Sequence, residues 1–157
     1  MSLMIKCAGR YRVASKDEIL AAAIQYAVND APRAAGHSPQ AILRAARGFI
    51  AARDTEAFYA SALDARMRVI GFSELFRGTV DASAVYPREV VKWALQQNAV
   101  HLVICHNHPS GALEASAADR SITERIKSAL ALVDIRLVDH VIIAGDGDYS
   151  FAAHGLI

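Results

Sequence analysis

A chain of 157 residues with 54% hydrophobic and 21% charged residues is long enough for one self-sufficient core and too apolar to be an intrinsically disordered segment. Seventeen basic residues against sixteen acidic ones leave a formal charge of +1, which excludes a bulk electrostatic attraction to nucleic acid or to an anionic membrane. Two cysteines, Cys7 and Cys105, are too few for a disulfide framework, and no apolar run approaches the ~18 residues of a membrane span. Met1 to Ala14 lacks the continuous apolar stretch of a signal peptide, so a reduced, cytoplasmic protein that does not cross a membrane is expected.

The first dozen residues show no clear period and are expected to be irregular and peripheral. Ser15-x-x-Glu18 then opens a helix as a capping box, in which a hydroxyl and a carboxylate satisfy the first free amides, and this helix is expected to run to about Asn29. Ala31-Pro32 and Gly36 break the chain, and Ser38-Pro39 restarts it with an N-cap serine and a proline at the first helical position, continuing to about Arg53. The N-terminal third therefore reads as a helical pair.

From Thr55 to Asp64 the pattern is that of a half-buried strand, and Met67 to Phe76 reads as a second, with Asp64-Ala65-Arg66 as the turn of an antiparallel hairpin. Tyr86-Pro87 introduces a helix whose Val90, Val91, Ala94 and Leu95 recur at helical spacing and which ends near Asn98. Val100 to Cys105 is nearly all apolar, as suits a strand buried on both faces. Turn formers fill Asn107 to Ala115, after which Ser116-x-x-Asp119 caps a helix reaching about Val133 with Ile122, Ile126, Ala129 and Leu130 on its apolar stripe. Ile135 to Ala144 is another strand, Gly145 to Asp148 a turn, and Tyr149 to Ala152 a short closing strand. Strands alternating with covering helices predict a single α/β domain, a mixed β-sheet flanked by helices.

The chemistry concentrates in His106-Asn107-His108-Pro109-Ser110-Gly111 and in Ser116 and Asp119. Extended backbone sends residues two apart to one side, so His106 and His108 can converge as the buried strand leaves the sheet, and Pro109 stops that strand. Asp119, on the first turn of the next helix, can bring a carboxylate to the same point. Two imidazoles and one carboxylate leave a fourth tetrahedral position for water, the arrangement of catalytic rather than structural zinc. Plainer explanations exist for each piece: a lone His-x-His pair is more often turn or surface histidine, and Ser116-x-x-Asp119 is accounted for by helix capping alone. Capping and ligation are compatible, because a carboxylate has two oxygens.

His-x-His, seven residues, then Ser-x-x-Asp resembles the JAMM signature of JAB/MPN metalloproteases, and His106-Asn107-His108-Pro109-Ser110-Gly111 resembles its form in the RadC family. Supporting matches are Glu56-Ala57-Phe58, Leu63-Asp64, Gly78-Thr79, Pro87-Arg88-Glu89 and Asp139-His140, so the similarity covers about 38–157 and leaves 1–37 as an N-terminal extension and helix. Alanine stands at 115 where the family usually has proline, and no Gly-rich helix-hairpin-helix region is evident before the strand pair, so the chain is similar to the short members.

The resemblance implies the JAB/MPN, cytidine deaminase-like architecture and one Zn2+ per chain held by His106, His108 and Asp119. It implies Glu56 as the catalytic acid/base and Ser116 as a hydrogen-bond donor to an oxyanion. The expected activity is metal-assisted hydrolysis of a peptide or isopeptide bond in a peptide or protein substrate. A non-proteolytic metal-binding interaction module or DNA-repair accessory is the alternative, with nucleic acid a partner by family association only and a homodimer a further possibility. His140 matches a family position and is expected to be packed or to support a ligand rather than to be one. Cys105 should face away from His106 as a buried thiol, Asp146 and Asp148 read as a hairpin turn rather than a calcium loop, and Arg44 and Arg47 read as a solvated helix face.

Overall fold

The computed structural model describes residues 4–15, 18, 19, 22, 39–78 and 85–157. The first of them correct the expectation of an irregular start: β1 (Met4–Cys7) and β2 (Arg10–Val13) pair antiparallel as a hairpin, with Met4 opposite Val13 and Cys7 opposite Arg10. Its two-residue turn places Ala8 and Gly9 at φ 48 and 83, the left-handed pair that a tight hairpin needs. Ala-Gly is a weaker signal for that turn than Asn-Gly, and the exposed β2 residues supply no buried face to set an alternation. The Ser15 capping box forms, with the Glu18 amide donating to Ser15 Oγ at 3.2 Å and the Ser15 amide donating to Glu18 Oε2 at 2.9 Å. The rest of the helix expected as far as Asn29, the break at Ala31 to Gly36 and the Ser38 cap lie outside the described residues.

Helix α1 (Pro39–Ala51) leads to β3 (Ala57–Leu63) and β4 (Val69–Arg77), the expected hairpin. Helix α2 (Pro87–Gln96), β5 (His101–Asn107), α3 (Ala117–Ala131), β6 (Arg136–Ala144) and β7 (Gly147–Ser150) complete the order. The five-stranded sheet runs β4-β3-β5-β6-β7, antiparallel except for the β5–β6 pair that α3 connects. This is the mixed α/β sheet flanked by helices that the pattern of elements predicts. None of the described helices is long and apolar enough to cross a membrane.

Strand parity sorts the core into two layers. Tyr59, Val103, Cys105, Val141 and Ile143 face Ala46 and Ile50 of α1, whereas Phe58, Ala60, Leu102 and Ile104 face Val90 and Ala94 of α2 and Ile126 and Leu130 of α3. Covering both faces buries β3 and β5 along almost their whole length, as the apolar run of β5 predicts and against the expectation of a half-buried strand from Thr55 to Asp64. A single irregularity changes which face one histidine joins. The register between β5 and β6 shifts between Leu102 and Val103, which lie opposite Leu137 and Asp139, so that His140 comes opposite Ile104 and shares the α3 side with His106.

Most element ends fall a residue or two from expectation, and two of the differences have a visible cause. Strand β5 continues through Asn107, because Ile142 and Ile143 of β6 extend the parallel pairing past Cys105. The closing strand is Gly147–Ser150 instead of Tyr149 to Ala152, since the β6–β7 turn is only two residues long and Asp139 ends the strand. Its Oδ2 accepts from Ser150 Oγ at 2.6 Å and its Oδ1 from the Ala152 amide at 2.9 Å, folding the chain into turns.

Candidate metal centre

His106 lies on β5 facing α3 and is 1% exposed, so it is presented from the rigid middle of the sheet. The chain leaves the strand at His108, whose amide still donates to Ile143 O at 3.0 Å, and turns at Pro109-Ser110-Gly111. The Gly111 amide closes that turn onto His108 O at 3.0 Å, and its φ of 82 is a conformation that glycine adopts without strain. Ser116, at φ −70 and ψ 167, is the N-cap of α3 and forms a full capping box with Asp119. The Asp119 amide donates to Ser116 Oγ at 3.0 Å, while Ser116 N and Oγ donate to Asp119 Oδ2 at 2.8 and 2.6 Å. Both cap bonds fall on one oxygen, so Oδ1 is left for another partner.

These elements bring the three predicted side chains together: among the described residues, His106, His108 and Asp119 form a group that can hold a metal ion, with ligand atoms all within 4.8 Å of one another. His106 Nε2 is 2.9 Å from His108 Nε2 and 3.2 Å from Asp119 Oδ1. Tetrahedral ligands on bonds of 2.0 to 2.1 Å sit about 3.3 Å apart, close to the two distances from His106, and His108 Nε2 lies 3.5 Å from Asp119 Oδ2.

The hydrogen-bonding state of each ring tests the fit further. His108 Nδ1 lies 2.7 Å from Ala112 O, and a carbonyl only accepts, so Nδ1 carries the proton and Nε2 the lone pair. His106 Nδ1 is engaged by His140 Nε2 at 2.8 Å, which again leaves Nε2 to face the group. The 2.9 Å contact between His106 Nε2 and His108 Nε2 needs positive charge between the two nitrogens, a shared proton or a cation, and the Asp119 carboxylate beside them favours such charge there. The donor set therefore fits a small divalent cation. Burial pushes the Asp119 carboxyl up, but its contact with His106 and the hydrogen bonds it accepts from Ser116 more than offset this and hold it well below the usual carboxylate range.

Glu56 immediately precedes β3, and its Oε1 lies 3.9 Å from His106 Nε2. Its side chain keeps 39% exposure, so it borders the ligand group on the side open to solvent. A residue with no motif of its own holds it there: Asn107 Oδ1 accepts from the Ala57 amide at 2.8 Å while Nδ2 donates to Thr55 O at 3.2 Å, clamping the backbone on both sides of Glu56. The Gly78 amide adds a bond to Glu56 O at 2.7 Å. The sequence signal for Asn107 is its place between the two histidines, where parity turns it to the opposite face of the sheet.

His140 is 0% exposed, stacked on Phe151 at 4.7 Å and edge-on to Phe58 at 5.7 Å. Burial, with His106 beside it, pushes its pKa well below the ordinary histidine value, so the ring is neutral. Its Nε2 meets His106 Nδ1, so it is packed against His106 without joining the group of three. Cys105 is buried on the α1 side and burial raises its thiol pKa, which removes it from nucleophilic chemistry. Arg47 pairs with Asp148 at 3.4 Å and donates to Asp146 O, so that turn is tied to α1, and Arg44 Nε donates to Gln40 O at 3.2 Å.

Residues 36–156 match the RadC-like JAB domain, a stretch that contains every residue of this site. A UPF0758 protein of Thioalkalivibrio sulfidiphilus is 54% identical over 115 residues, 71% of this chain and 51% of its own length. One from Janthinobacterium sp. is 48% identical over 119 residues, 76% of this chain and 53% of its own, and one from Nitrosococcus oceani is 56% identical over 103 residues, 65% and 46%. The chain spans about half the length of the curated relatives it matches.

Proposed function

Since the chain belongs to the RadC-like JAB domain family, we propose that it is a zinc-dependent hydrolase that cleaves peptide or isopeptide bonds with an activated water in the cytoplasm. The observation that carries this reading is the convergence of two imidazole Nε2 atoms and one carboxylate oxygen left by the helix cap with a second, half-exposed carboxylate 3.9 Å from His106 Nε2. His106, His108 and Asp119 would hold one Zn2+ per chain, with Nε2, Nε2 and Oδ1 as ligand atoms. When bound in such a set, the ion acidifies a water to a pKa of about 7 and polarises a substrate carbonyl.

Glu56 is the base. As an anion held beside the site by Asn107 but outside the ligand group, it takes the proton of the attacking water and returns it to the leaving amine. Its open side lets a polypeptide reach the site, while the buried face of His106 keeps the rest of the group dry. Ser116 Oγ turns its proton from Asp119 Oδ2 to the developing oxyanion, and Asp119 Oδ2 retains the bond from the Ser116 amide during that exchange.

Ser116→Ala separates the two duties of this serine. Loss of an N-cap costs about 1 kcal/mol of stability, whereas loss of an oxyanion donor lowers kcat by about a hundredfold or more. A thermal melt and a kcat measurement on the same sample are expected to show both. A variant that loses stability but keeps kcat assigns Ser116 to the cap alone.

The activity itself is tested with zinc-loaded protein on a fluorogenic peptide library and on ε-lysine-linked isopeptides. Cleavage that a chelator removes and added zinc restores is the expected result. Stoichiometric zinc with no cleavage of either class would leave a metal-binding module and overturn the hydrolase.

A further inference from the structure

We propose that His140 and Thr123 are positioning residues that fix the tautomer and aim of His106, through a hydrogen-bonded relay that starts and ends at the two buried ligands. The inference rests on the reading of His106 and Asp119 as ligands.

The direction of every proton is set from the end of the chain. Asp119 O is a carbonyl and only accepts, so the single hydroxyl proton of Thr123, 2.5 Å away, points to it. Thr123 Oγ1 then offers a lone pair to His140 Nδ1 at 2.6 Å, and His140 must carry its proton on Nδ1. A neutral ring has one such proton, which leaves His140 Nε2 bare to accept from His106 Nδ1–H at 2.8 Å. His106 is thereby held with a bare Nε2 turned to Asp119 Oδ1 at 3.2 Å. Thr123, one helical turn beyond Asp119, is 1% exposed and His140 is 0% exposed, so water does not compete for either group.

The relay links three separate elements. His106 is on β5, His140 on β6, and Thr123 and Asp119 on α3, so the ring of contacts locks strand and helix in the relative position that makes the ligands converge. A ligand histidine commonly hands its second N–H to a carboxylate or carbonyl. A neutral imidazole in that place adds no charge and leaves Asp119 as the single anion among the three ligands.

Two readouts other than turnover test the relay. In long-range 1H–15N spectra of histidine-labelled protein at mildly alkaline pH, with and without zinc, His140 is expected as the Nδ1–H tautomer; a proton on His140 Nε2 would overturn the proposal. By chelator competition, His140→Phe, which fills the space but cannot accept, is expected to bind zinc about 10- to 100-fold more weakly, while His140→Gln, which restores an acceptor, stays near wild type. Thr123→Val is expected to weaken zinc binding by about tenfold and Thr123→Ser to preserve it. Equal affinities within both pairs would refute the relay, and the threonine pair and the wild-type spectra decide it should His140→Phe fail to fold. A protein with the predicted tautomers and affinities that cuts no peptide would sink the hydrolase and leave the relay in place.

Discussion

Glu56→Gln is expected to lower peptide hydrolysis by about 10²- to 10⁴-fold, the usual worth of a general acid–base group, while the protein keeps one zinc per chain. The amide has the shape of the carboxylate but cannot take a proton from water. The backbone around residue 56 is set by Asn107 and Gly78 through main-chain bonds, so the substitution leaves its position unchanged. Metal content is expected to survive because Glu56 lies 3.9 Å from His106 Nε2 and outside the group of three ligand residues. Zinc analysis and kcat on one preparation check both halves. Wild-type kcat would remove Glu56 from the chemistry, and loss of zinc would make it a ligand.

The second large effect is expected for His108→Ala and Asp119→Ala, each of which should bring zinc from one per chain to none in dialysed protein and abolish hydrolysis. Three ligands are the minimum of a catalytic zinc site, and water cannot replace an imidazole or a carboxylate without a large loss of affinity. The two variants should differ in stability. The His108 side chain retains 15% exposure and its Nδ1 bonds only to the loop at Ala112, so its removal leaves the core untouched. Asp119 receives both N–H and O–H from Ser116, so its loss also opens the capping box at a cost of about 1 kcal/mol. Melting curves are therefore expected to shift for Asp119→Ala and hardly at all for His108→Ala. Full zinc retention in His108→Ala would show that the ligand set is wrong.

The clustering of His106, His108 and Asp119 was legible in the sequence because each sits where a local rule places it. His106 and His108 are two apart at a strand exit, and Asp119 is the N3 residue of a capping box that leaves one carboxylate oxygen free. Of the supports around them His140 was expected, whereas Asn107 and Thr123 were not legible, for reasons that are equally physical. Asn107 and Thr123 act on residues brought near by strand pairing and helix packing, which no local pattern encodes. The role of His140 depended on the register shift opposite Leu102, because without that extra residue in β6 its ring would face α1. The N-terminal hairpin leaves no period in the sequence because its strands are four residues long and the residues of β2 are all exposed.

A divalent cation at the meeting point of β5 and α3 underlies every catalytic role assigned to these residues, and crystals grown with zinc and measured on both sides of its absorption edge test that most directly. One anomalous peak per chain, within bonding distance of His106 Nε2, His108 Nε2 and Asp119 Oδ1 and with a fourth position not filled by protein, is the predicted result. A peak held by other side chains, or none at those three atoms in protein saturated with zinc, would contradict it.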